Sequence, residues 1–144
     1  MSANRSSSDR VYLGGVRVLL VDSSPYIRAV VTAMLEDAGA TVTAVETAEE
    51  ALATLERERP EVLVSALAMP DKGGYWLIGK VRSLPLERGG ATPAAALTGF
   101  TGPEHRASIL RAGYQYHIEK PVTSRNLSGV VALLALKTSS PPQS

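Results

Sequence analysis

Cysteine is absent from this 144-residue chain. Disulfides, thiolate nucleophiles and thiolate metal sites are therefore excluded, and nothing argues for an oxidising compartment. An excess of one charge sign is missing as well. Fifteen basic and 14 acidic residues leave a formal net charge of +1, so no net field draws the chain toward nucleic acid or a membrane surface. No run of about 18 apolar residues occurs, which argues against a membrane-spanning helix. The first ten residues are polar and Ser-rich, without the apolar stretch of a secretory signal. A cytoplasmic address is the expectation. Internal repeats are also lacking. The glycine pairs Gly14-Gly15, Gly73-Gly74 and Gly89-Gly90 lack the GxxxxGKS/T or strand-GxGxxG-helix setting of a phosphate cradle, and they read as turns.

What is present is one domain of ordinary size, long enough to bury about 68 to 70 per cent of the surface of its unfolded chain. Residues 1–15 and 138–144 are rich in Ser, Pro and Gly and are predicted to be flexible, leaving residues 16–137 as the folded part. Val16-Arg17-Val18-Leu19-Leu20-Val21 is a continuous apolar run of the kind found in parallel strands covered on both faces. Ser24 and Pro25 then supply a cap and a first helical residue, and Ile27, Val30, Val31, Met34 and Leu35 repeat at helical spacing up to Gly39. The same alternation recurs. Strands are predicted at residues 41–45, 62–66, 94–98 and 116–118, and helices follow them around Ala48 to Leu55, Leu77 to Leu84, Pro103 to Ala112 and Ser124 to Leu136. Five βα units make a doubly wound, parallel, five-stranded sheet in a three-layer α/β/α arrangement.

In such a sheet chemistry sits at the carboxyl ends of the strands. Asp22 and Ser23 leave the first strand, Ala66 the third, Thr98 the fourth and Lys120 the fifth. The third exit carries a methyl group, which cannot accept a phosphoryl group, bind a cation or move a proton.

The stretches LGGVRVLLVD, AMPDKGGYWLI, LTGFT and GYQYHIEKPV resemble the receiver domain of two-component response regulators. The likeness is strongest to the receiver modules of hybrid histidine kinases, and it covers residues 16–136. It implies an acidic pair after strand one, a phosphoacceptor aspartate at the end of strand three, a hydroxyl after strand four and Lys-Pro after strand five. Asp22, Thr98, Lys120 and Pro121 match that pattern. Two positions depart: Ser23 replaces the second acidic residue, and Ala66, four residues before Pro70, replaces the acceptor. Mg²⁺ takes oxygen ligands, usually one or two carboxylates with phosphate and water, and phosphoryl transfer leans on that metal. No catalytic residue, no enzymatic activity, no cofactor and at best weak Mg²⁺ binding are therefore expected. Lys120, without an acceptor to hold, is expected to pair with Asp22.

Other residues fit bland roles. His117 stands at the strand-five switch position and reads as a half-exposed histidine. His105 reads as a solvated residue at a helix start, and Asp71 as a turn carboxylate. Arg57 with Arg59, or Arg106 with Arg111, read as solvated helix faces rather than a nucleotide grip. In the last helix Leu127, Val130, Val131 and Leu134 form a core stripe. A second stripe, Gly129, Ala132, Leu133 and Leu136, is predicted to face solvent and marks a partner surface. The resemblance places output or dimer contacts on that side, between helix four, strand five and helix five.

The leading expectation is a phosphorylation-incompetent receiver in two-component or phosphorelay signalling, acting on a protein partner such as a histidine kinase or output domain in cis or trans, or on a second copy, with no nucleic acid or membrane involved. Two alternatives stand beside it: a working receiver carrying an introduced Asp-to-Ala substitution at Ala66, and a sensor for a small nucleotide.

Overall fold

Two short apolar runs, residues 18–21 and 62–64, become neighbouring strands in the middle of the sheet. In the computed structural model, which describes residues 11–99 and 102–139, β1 (Arg17–Val21) lies between β2 (Thr41–Val45) and β3 (Val62–Ala66), followed by β4 (Ala94–Thr98) and β5 (Tyr116–Glu119). All pairings are parallel. Every residue of β3 and β4 is buried, whereas the edge strands β2 and β5 each expose residues. Helices α1 (Pro25–Asp37), α2 (Ala48–Glu58), α3 (Gly74–Arg82), α4 (Pro103–Ala112) and α5 (Ser124–Ser139) join the strands.

Side chains alternate across each strand, so the sheet divides two apolar cores. Leu20, Val64 and Leu97 pack with Val31 of α1 and Val131 of α5 on one side. Leu63 and Ala96 pack with Leu55 of α2, Ile78 of α3 and Ile109 of α4 on the other. The small side chains of β4 leave room on that second side for Tyr114, which is 2% exposed and whose hydroxyl donates to the Gly74 carbonyl at 2.7 Å. Burial pushes the Tyr114 phenol well above the ordinary tyrosine value, with the Ser65 hydroxyl pulling the other way.

Local signals set the helix ends. The Ser24 hydroxyl accepts the Ile27 N–H at 3.2 Å, and Thr47 and Glu50 form a reciprocal capping box. At α5 the cap is Thr123, whose hydroxyl accepts the Asn126 N–H at 3.2 Å, and Ser124 is the first helical residue. The 85–93 loop contains a short 3-10 turn, Leu86–Arg88. It is tied down by Arg82, which donates to the carbonyls of Gly90, Thr92 and Gly113 and to Gln115 Oε1.

The boundaries of the folded part also differ from expectation. Leu13 is 1% exposed in the α1–α5 core, and its N–H donates to the Ala38 carbonyl. The folded part thus begins upstream of residue 16, because an apolar residue there finds the end of α1. At the other end α5 continues to Ser139. The remaining flexible segments of the expectation, residues 1–10 and 140–144, lie outside the described residues. No described helix is long and apolar enough to cross a membrane.

Candidate functional site

The register of the sheet brings the strand exits to one rim: Val21 pairs with Ser65, Ala66 with Leu97 and Thr98 with Glu119. Asp22 leaves β1 and is 3% exposed. Its Oδ1 accepts the Ser24 N–H at 2.9 Å, and its Oδ2 lies 3.4 Å from Lys120 Nζ. Arg28 donates to the Asp22 carbonyl at 2.7 Å. The buried carboxylate therefore has both oxygens engaged from within the fold, and a cation half in solvent closes it off. Ser23, beside it, is half-buried.

Thr98 is 5% exposed, and the Lys120 N–H donates to its carbonyl at 2.9 Å, which couples the exits of β4 and β5. The Lys120–Pro121 peptide is cis. Thr98 Oγ1 lies 3.1 Å from Nε2 of His105, so His105 is not the solvated helix-start residue the sequence suggested. Only four residues separate Thr98 from Pro103, so the first turn of α4 begins within reach of the strand end. That short connection was the signal available in the sequence.

Ala66 is 1% exposed at the centre of the rim. The following loop folds back over it: the Gly74 N–H donates to the Leu67 carbonyl. A Cβ on Gly74 would stand 2.4 Å from the Ala66 oxygen, and one on Gly73 2.5 Å from the Leu67 oxygen. The Gly73-Gly74 pair is thus demanded by backbone contact. Asp71 projects from this loop, exposed and with φ of +67°, away from any such enclosure. The donor set at the rim is one fully engaged carboxylate, one serine hydroxyl at Ser23 and no side-chain donor at Ala66. Among the described residues no group of three or more His, Cys, Asp or Glu side chains is placed to hold a metal ion.

His117 is half-buried on β5. On α5, Leu133 and Leu136 are 48% and 62% exposed. Gly129 and Ala132 are only half-exposed, and Ala132 packs against the α1–α5 core. The solvent-facing stripe is therefore narrower than its periodicity suggests, because the helix sits low in the groove beside the sheet. Exposed apolar side chains also occur on the two neighbouring elements, Leu110 on α4 and Tyr116 on β5.

The family model for the response regulator receiver domain matches residues 18–132. The chain belongs to this family. A 14.6 kDa uncharacterised protein of Leptolyngbya boryana is 44% identical over 119 residues, covering 83% of this chain and 89% of that one. The sensor protein GacS of Pseudomonas syringae is 32% identical over 129 residues, covering 87% of this chain but 14% of GacS. Among solved structures, the receiver domain of sensor histidine kinase PA1611 of Pseudomonas aeruginosa, with a magnesium ion coordinated in its active-site cleft, superposes with a TM-score of 0.77 at 28% identity, covering 85% of this chain and 98% of that one. As a receiver, the chain is a module of two-component signal transduction, and its five-stranded parallel sheet with five helices is the CheY-like fold.

Proposed function

We propose that this receiver does not accept a phosphoryl group and instead works as a non-enzymatic protein-interaction module in two-component signalling. The observation that carries this reading is the rim itself: a methyl group stands at the acceptor exit, and the one carboxylate nearby is consumed by Ser24 and Lys120. A Mg²⁺ ion arriving there would have to displace Lys120 from Asp22 and would find a hydroxyl at Ser23 where a second carboxylate is wanted, so the donors do not fit the ion. With no acceptor and no metal cradle, the rim holds one arrangement rather than switching between two. Thr98, which would otherwise answer a phosphoryl group, is held against His105.

The working surface in this reading is the α4–β5–α5 side, where Leu110, Tyr116, Leu133 and Leu136 remain exposed. Its partner is a histidine kinase or output domain, in cis or in trans, or a second copy of the chain, in the cytoplasm. Incubation with acetyl phosphate and Mg²⁺ tests the first half of the proposal: the intact mass is expected to stay unchanged, and a phosphoryl group mapped to any residue would overturn it. Crosslinking of a Leu133→Cys variant to a co-expressed histidine kinase tests the second half, with crosslinks expected there and not from an Arg57→Cys control.

A further inference from the structure

A second feature lies away from the rim. A groove of about 310 Å³ runs between the Val11-Tyr12 segment, the last turn of α1 (Met34, Asp37, Ala38) and the start of α5 (Ser124, Arg125, Ser128). Its volume is at the small end of ligand pockets, about 300 to 1,000 Å³. Val11, Met34 and Ala38 pack on the α1–α5 core and give it a fixed apolar floor, while the Tyr12 ring stands over it, 83% exposed.

Three polar side chains in this groove have no partner among the described residues. Asp37 and Arg125 are exposed and opposite in charge, yet neither side chain forms an ion pair or hydrogen bond with any described residue. Each also stands at the helix end that disfavours it. Asp37 is the last residue of α1, which has no basic residue in its last turn. Arg125 is in the first turn of α5, which has no acidic residue there. The helix dipole is negative where Asp37 sits and positive where Arg125 sits, so the fold reinforces both charges instead of cancelling them. One side of the groove carries a negative charge, Asp37, and the other a positive one, Arg125. The third side chain is Ser128, 5% exposed, whose hydroxyl has no hydrogen-bond partner among the described residues. The Ser128 oxygen is not sealed from solvent, since Thr32 Oγ1 is the one fully buried side-chain oxygen without a partner among the described residues, and the space Ser128 lines is this groove.

We propose that the groove binds a small zwitterion with an apolar body. Asp37 takes the ammonium group. Arg125 and the unpaired N–H groups at the start of α5 take the carboxylate. The apolar body lies on Val11, Met34 and Ala38 beneath Tyr12, and the Ser128 hydroxyl bonds the carboxylate from inside. The site is separate from the rim and does not depend on whether phosphoryl transfer occurs.

The full chain, titrated with L-leucine, L-phenylalanine and 6-aminohexanoate, tests this. Amide chemical shifts and thermal unfolding are the readouts. At least one of these zwitterions is expected to raise Tm and to move the amide signals of Ala38 and Ser128, with 6-aminohexanoate reporting a wider charge separation. N-acetyl-L-leucine and L-leucinamide, each lacking one charge, should bind about tenfold more weakly or worse. Asp37→Asn and Arg125→Gln should each weaken binding by about tenfold while raising the Tm of the ligand-free protein slightly, since each removes a charge from an unfavourable helix end. No response to any of the three zwitterions overturns the proposal. So does binding that ignores the missing charge or both variants. Concentration-dependent self-association abolished by Asp37→Asn would likewise overturn it, assigning the groove to a second copy instead.

Discussion

The rim and the α1–α5 groove both contain an aspartate and a basic residue, and they use them in opposite ways. At the rim Asp22 is 3% exposed and paired with Lys120 at 3.4 Å, with a backbone N–H on its other oxygen. In the groove Asp37 and Arg125 are exposed, and their side chains have no partner among the described residues. A charge satisfied inside the fold holds the fold in place and is costly to disturb. A charge left open at the wrong end of a helix costs the fold a little and remains available to something else.

Substitutions that break one side of this contrast should differ in size. Lys120→Met leaves Asp22 buried without a counter-charge. Losing one member of a buried pair costs about 3 to 5 kcal/mol, and with Lys120 33% exposed the lower end of that range is expected in urea unfolding. Asp22→Asn in the same background should recover much of the loss, because the uncompensated charge is then gone.

Tyr114→Phe removes another internally satisfied group and strands the Gly74 carbonyl, at a cost of about 1 to 3 kcal/mol. This variant also has a pH signature. Burial raises the Tyr114 phenol, so the contribution of its neutral form is fully present below the ordinary tyrosine value of about 10 and is lost as pH rises above it. Wild-type stability should fall steeply on the alkaline side of that value, and the Tyr114→Phe profile should be flatter there; parallel profiles would show that Tyr114 does not ionise on unfolding.

The acceptor position gives a functional version of the same comparison. Ala66→Asp is expected to gain only weak Mg²⁺-dependent labelling by acetyl phosphate, because Ser23 still withholds a carboxylate and Lys120 still holds Asp22. The double variant Ala66→Asp with Ser23→Asp should label readily. Strong labelling of the single variant would indicate a competent receiver that lacks nothing but its acceptor. The smallest effect on stability should come from the open surface: Leu133→Lys and Leu136→Lys should stay within about 0.5 kcal/mol of wild type while weakening association with a partner or second copy in crosslinking or sedimentation.

Most of the architecture was legible because its signals are local. Apolar runs flanked by Gly and Pro mark β1, β3 and β4, and Ser24-Pro25 and the stop at Gly39 frame α1. The rim was legible through its resemblance to receivers, which named Asp22, Ala66, Thr98 and Lys120 together. The contact of His105 with Thr98 is not legible, because it depends on where α4 starts in space. The burial of Leu13 is not legible either, because its partner, the end of α1, is remote in sequence. The α5 stripe is narrower than its spacing suggests, since periodicity gives the faces of a helix but not how far each is covered. The groove left no trace in the sequence at all, because Asp37 and Arg125 are 88 positions apart.

By itself the sequence determined the order of elements, the parallel sheet and the missing acceptor, since each is written in neighbouring residues or in periods of two and 3.6. Only the tertiary structure decided which charges are cancelled and which are left open. Pairing depends on distance and burial, and residues 98 apart, as Asp22 and Lys120 are, meet or miss according to how the helices lie on the sheet.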